Sequence, residues 1–137
     1  MNYLVWTVVA LIAYTVFPPL VNVATREVPS DVVTLVATTI LALGALCATV
    51  ISGDQVVPYL TGGRALPMYA AGVSLTIGTL AYYRALAQGP VSVVVPVFGT
   101  FIVTSSLLGI VVLDEPASLR KLLGVGFAVL AVYFIAG

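Results

Sequence analysis

The chain has 137 residues, 61% of them hydrophobic and 7% charged, with a formal net charge of zero, and its mean hydropathy is +1.20. Soluble domains carry about 25% charged residues, so these few charges cannot cover a water-facing surface and the chain reads as an integral membrane protein. No basic patch invites nucleic acid, and the absence of His with a lone Cys47 argues against the usual zinc sites and an intrachain disulfide framework; no cofactor is expected.

Apolar runs near 20 residues long predict helices, where a membrane barrel would show shorter alternating segments. The predicted fold is all-α: one transmembrane domain, residues 1–137, with five spans at about 3–24, 32–51, 67–88, 91–113 and 119–136. The first lacks the basic flank of a cleaved signal and is longer than a signal core, so it is expected to be retained. Pro18 and Pro19 lie near its far end and are expected to bend or partly unwind it. Tyr3, Thr7, Tyr14, Pro18 and Thr25 share one face, with Asn22 at the edge. Arg26, Glu27 and Asp31 mark a polar turn, after which the second span is rich in Ala, Leu and Thr and bland enough for a packing role. Cys47 within it is expected to be a small buried or lipid-facing residue. The loop at 52–66 carries Asp54, Pro58, Gly62, Gly63 and Arg64, and its Tyr59 suits the headgroup level.

The third span has two distinct faces. At about 100° per residue, Tyr69, Gly72, Thr76, Thr79 and Tyr83 fall in one stripe that can hydrogen-bond, while Ala70, Ser74, Gly78, Ala81 and Ala85 fall opposite, small enough for a close helix neighbour. Gln88-Gly89-Pro90 combines a stop and a restart, which predicts that the fourth span folds back against the third. Ser92, Pro96, Gly99, Thr100 and Thr104 cluster on one side of the fourth, with Pro96 expected to kink it. Asp114, Glu115 and Pro116 close this span, Ser118 can cap the next, and the fifth carries Gly124, Ala128 and Ala131 at close-packing spacing.

Each polar feature has a plain reading beside the functional one. Hydroxyls in membrane helices bond back to their own backbone. Tyr82 and Tyr83 suit an interfacial aromatic belt, although Tyr83 shares the polar stripe. Arg84, the lone charge inside a predicted span, can snorkel to the headgroups or turn inward as an anion contact or gate. Asp114 and Glu115 suit a solvated turn. Pro18 and Pro96 can shape the bundle or expose backbone groups to a solute. No nucleophile with a base, carboxylate pair, phosphate loop or metal cluster is visible, so an enzyme is not expected. There is no internal repeat. Arg26 and Arg84 share one membrane side, and Arg64, Arg120 and Lys121 the other. That small bias suits either Arg120 and Lys121 inside, or insertion both ways up.

The stretch from Gly72 onward resembles the C-terminal part of an EamA repeat of the drug/metabolite transporter superfamily. The points of resemblance are the Tyr-Tyr-x-Ala-Leu run at Tyr82 to Leu86, Gly89-Pro90-Val91-Ser92, Pro96, Glu115 and Gly124. Members usually join two such five-helix repeats in opposite orientations, and this chain holds one. It is also distantly similar to the four-helix small multidrug resistance proteins, which work as antiparallel dimers. The membrane-embedded glutamate of their first span has no counterpart between Leu4 and Val23, which argues against proton-coupled export of cationic drugs by that route.

The resemblance implies a cavity lined by the first, third and fourth spans, with the fifth joining repeats. Those three spans are the ones with polar stripes. The cavity candidates are Tyr14, Asn22, Tyr69, Thr76, Thr79, Tyr83, Ser92, Thr100 and Thr104, with Pro18, Pro96 and Arg84 as kinks or gates. Gly78, Gly124, Ala128 and Ala131 are the candidates for packing between repeats. The expected protein is a multi-pass transporter of the cell (plasma or inner) membrane. It would take a neutral, zwitterionic or amphipathic small molecule by alternating access, as an antiparallel homodimer or with a sister repeat. A flippase subunit for lipid-linked headgroups, or an accessory membrane protein without transport, are the alternatives.

Overall fold

The helices follow from apolar runs that have nowhere but lipid to go. In a computed structural model, described at residues 3–63, 65–114, 116 and 118–136, the elements are α1 (Tyr3–Ala24), α2 (Ser30–Ser52), a 3-10 turn at Val57–Tyr59, α3 (Ala65–Gln88), α4 (Val91–Gly99), α5 (Phe101–Val112) and α6 (Leu119–Ala136). Arg64 and Glu115 lie outside the described residues. The described residues form no strand, and the fold is an all-α membrane bundle. Four runs are long and apolar enough to cross a bilayer: α1, α2, α3, and Val91–Val112, which contains α4 and α5. The third is the least apolar, with mean hydropathy 1.2 against 2.0, 2.2 and 2.1 for the others. Large apolar side chains stand outward along every helix, among them Ile51 at 86% and Phe134 at 78% exposure. Lipid, not water, is the solvent such a surface suits.

α1 runs unbroken through Pro18 and Pro19, so the expected unwinding does not occur. The prolines still remove two donors, and the carbonyls of Tyr14 and Thr15 lose their intrahelical partners. Pro18 is buried, which wedges this part of α1 against its neighbours. α2 ends where Gly53 adopts φ +72°. There the Gly53 N–H donates to the Val50 carbonyl at 3.2 Å and the Asp54 N–H to the Thr49 carbonyl at 3.2 Å, the paired closure that a left-handed glycine permits.

The fourth apolar run is two helices. The Thr100 N–H donates to the Val97 carbonyl at 3.2 Å, and its Oγ1 donates to the same oxygen at 2.7 Å. Pro96 has no N–H for the Ser92 carbonyl, Gly99 holds a helix weakly, and the Thr100 hydroxyl competes for the backbone. The break therefore falls at Thr100, one turn beyond Pro96.

The chain divides between Gln88 and Gly89 into two compact units. In the first, α3 packs against both α1 and α2. Its buried side chains, Pro18, Val21, Thr34, Tyr83 and Leu86, come from the C-terminal parts of α1 and α3 and the start of α2; Ala65 is the exception, at the start of α3. The unit is thus packed at one end. In the second unit α6 packs against α4 and α5, and Val103 is its buried residue among those described.

Candidate functional site

The polar stripe of α3 begins in the loosely packed part of the first unit. Tyr69 is 54% exposed, and its hydroxyl donates to the Leu60 carbonyl at 2.9 Å, which holds the loop against the helix. Gly72 and Thr76 are exposed. With Tyr69, Met68, Val73 and Ile77 they line an open recess of about 440 Å³. The Thr76 hydroxyl donates to the Gly72 carbonyl at 2.8 Å. A hydroxyl that donates to its own helix keeps its acceptor lone pairs, so Thr76 still offers an acceptor to whatever enters. Thr79 is half-buried one turn on.

Tyr83 ends the stripe differently. It is 2% exposed, and its ring meets Phe17 edge-on at 5.6 Å. Phe17 also contacts Tyr14 at 6.0 Å and stacks on Tyr82 at 6.4 Å. Tyr83 therefore joins α3 to α1 in the packed part of the unit. Tyr14 reaches this aromatic cluster from outside and is 70% exposed.

Asn22 is half-buried, and its side-chain amide donates to the Leu86 carbonyl at 2.7 Å. Arg84 points the other way, to α2. Its Nε and Nη2 donate to the two carboxylate oxygens of Asp31, each at 3.2 Å, and the closest approach of the pair is 3.1 Å. Both side chains are more than half exposed, 55% and 62%. Two residues of one helical turn thus tie α3 to α1 and to α2.

In the second unit Ser92, Thr100 and Thr104 are exposed and Pro96 is half-buried. Thr104 donates to the Phe101 carbonyl at 3.1 Å, so like Thr76 it retains acceptor capacity. A groove of about 290 Å³ runs between α5 and α6, with Ile102, Val103, Ser106 and Ile110 on one wall and Lys121, Gly124, Val125 and Ala128 on the other. Ala131 is exposed. A methyl added at Gly78 or Gly124 would meet nothing within 4 Å among the described residues, so both small surfaces are open in the single chain.

The structure brings Tyr69, Gly72 and Thr76 together on one recess, places Tyr83 and Pro18 in packing, and gives Asn22 and Arg84 defined partners. The sequence did not reveal Asp31 as the partner of Arg84, nor the Phe17 bridge, since neither 53 residues of separation nor a lone Phe signals a contact. Asn22 and Leu86 did leave a trace: Pro90, four residues after Leu86, has no N–H for that carbonyl. Among the described residues no group of three or more His, Cys, Asp or Glu can hold a metal ion. The recess on α3 presents the Tyr69 ring and the Thr76 acceptor between the apolar walls of Met68, Val73 and Ile77.

The whole chain, residues 1–137, matches the model of the EamA-like transporter family. The chain belongs to the EamA-like transporter family. This makes it a multi-pass membrane protein of a transporter family, with four runs long and apolar enough to cross a bilayer among the described residues. No curated protein and no solved structure gives a match to this EamA-like sequence.

Proposed function

We propose that this EamA-like chain is half of a small-molecule transporter of the cell membrane, completed by a second copy in antiparallel orientation, and that the two halves alternate access to a shared cavity. The observation that carries this reading is the family match over a single repeat whose α3 leaves Tyr69 and Thr76 on an open recess. One copy has too few polar helices to surround a solute, and a second supplies the missing wall. In the first unit the lining groups would be the hydroxyl acceptors of α3 together with Tyr14, and in the second unit, taken by itself, the hydroxyls of α4 and α5. No charge sits among those groups, so the solute is neutral, zwitterionic or amphipathic and carries N–H or O–H donors. A sister chain of opposite orientation serves equally as the second half.

The pairing of Arg84 with Asp31 weighs against a flippase that grips a lipid phosphate at Arg84, because two guanidinium nitrogens are already engaged. The direct test places one cysteine at Thr76 in a Cys47→Ala background and compares a water-soluble with a lipid-soluble maleimide in proteoliposomes. Reaction with the water-soluble reagent, blocked by a transported solute, is expected. Reaction with the lipid-soluble reagent alone would mean that α3 turns its stripe to acyl chains, and the proposal would fail. Uptake that prefers multivalent cations would overturn the uncharged cavity.

A further inference from the structure

The end of α3 poses a backbone problem that α1 solves. The last carbonyls of a helix have no intrahelical donors. For Leu86 the residue four places on, at position 90, is a proline with no N–H. Leu86 is fully buried, at 0% exposure, so water cannot serve its carbonyl, and a buried acceptor left unmade is costly. The Asn22 amide fills that place at 2.7 Å, from 64 residues away in the chain. Two residues earlier on α3, Arg84 holds Asp31 in the first turn of α2. Tyr83 between them packs on Phe17 of α1.

We propose that Asn22 and the Asp31–Arg84 pair clamp one end of the α1–α2–α3 unit, so that opening of this unit occurs at the other end, where Tyr69 and Thr76 line the recess. Asn22 is then a positioning residue: it acts on the helix that carries the recess and not on the solute. The clamp has two unequal parts. The amide is half-buried and meets a fully buried carbonyl, so it holds continuously. The ion pair is more than half exposed and yields to salt. The inference deepens the transport reading by locating a fixed point for it, but it stands on contacts within one copy.

The test is a double-mutant cycle on the full chain in lipid nanodiscs. Asn22→Leu should lower the melting temperature by on the order of a few degrees. Pro90→Ala restores the backbone N–H that a helix continued by one turn would offer the Leu86 carbonyl, so it should recover part of the loss in the Asn22→Leu background and do much less in the native one. Spin labels at Val23 and Ala87 report the clamped end, and labels at Leu4 and Leu66 the opposite end. The first pair should give a narrow distance distribution that broadens in Asn22→Leu, and the second a broad one in both. Equal effects of Pro90→Ala in both backgrounds, or an unchanged Val23–Ala87 distribution, would overturn the clamp. Should Asn22→Leu fail to insert, the double variant must still fold; failure of both also overturns it. None of these readouts needs a solute or a second copy, so a failed clamp leaves the transport reading standing, and a failed transport reading leaves the clamp testable.

Discussion

At the scale of single residues, the hydroxyl groups and the tyrosines part company. Threonines across α1, α2, α3 and α5 donate to carbonyls three or four residues back, as Thr15 does to Leu11 at 2.7 Å and Thr39 to Leu35 at 2.7 Å. Such bonds make a hydroxyl tolerable in lipid without asking anything of a neighbour. Thr76→Val should therefore leave the melting temperature of the purified protein nearly unchanged, within about 0.5 kcal/mol. A loss of uptake in Thr76→Val at unchanged stability would report contact with solute. Tyr83 behaves oppositely. Truncating a buried aromatic costs about 3–5 kcal/mol in water-soluble cores. In lipid the transfer term shrinks because the alternative solvent is also apolar, so Tyr83→Ala should cost about 2 kcal/mol through the cavity it leaves. Tyr14→Ala, at a side chain 70% exposed, should cost much less in the same chemical-denaturation assay. The sequence could place Tyr69, Thr76 and Tyr83 on one stripe because helical spacing is a local property. It could not tell that the stripe runs from open recess to buried contact, because that depends on where α1 crosses α3.

At the scale of helices, backbone chemistry decides most of the outcome. The glycine at the end of α2 sits at φ +72°, a region where a Cβ costs roughly 1–2 kcal/mol. Gly53→Ala should lower stability by about 1 kcal/mol, and Gly53→Asn should lower it less, since Asn tolerates this conformation. A Cβ there meets nothing within 4 Å among the described residues, so strain and not crowding is what that comparison measures. The ion pair between α2 and α3 is exposed and worth at most about 1 kcal/mol. The single change Arg84→Asp places like charges together and should destabilise, while Arg84→Asp with Asp31→Arg should recover most of the loss. That recovery should shrink as ionic strength rises from low to physiological salt. Helix ends were legible where the sequence spells them out, in Gly89-Pro90. The pairing across helices was not, because nothing in Asp31 alone distinguishes a solvated turn from a partner for Arg84. The break at Thr100 shows the same limit. Pro96 announced a disturbance, but its position was set by Gly99 and by the Thr100 hydroxyl competing for the Val97 carbonyl.

At the scale of the whole molecule, membership of the transporter family and the charge balance meet in one question of orientation. The chain carries five basic and five acidic residues, and orientation in a bilayer follows Lys and Arg in short loops while Asp and Glu contribute little. Arg26 lies in the turn between α1 and α2, while Arg120 and Lys121 open α6, and the topology expected from the sequence would leave the two membrane sides nearly matched. On the antiparallel reading proposed above, a bias this small would let insertion proceed both ways up, and a population with both orientations is what an antiparallel pair of identical chains requires. Single cysteines at Glu27, in the first turn, and at Gln55, in the loop after α2, can each be labelled from one side of sealed vesicles in a Cys47→Ala background. Both positions should be labelled from both sides. Adding two lysines beside Arg26 should drive every copy into one orientation. Uptake should then collapse and return when a second, oppositely biased version is co-expressed. Labelling of each position from one side only would rule out the antiparallel homodimer and leave a sister chain of opposite orientation as the second half. Full uptake by the uniformly oriented variant alone would remove the need for an antiparallel partner of either kind.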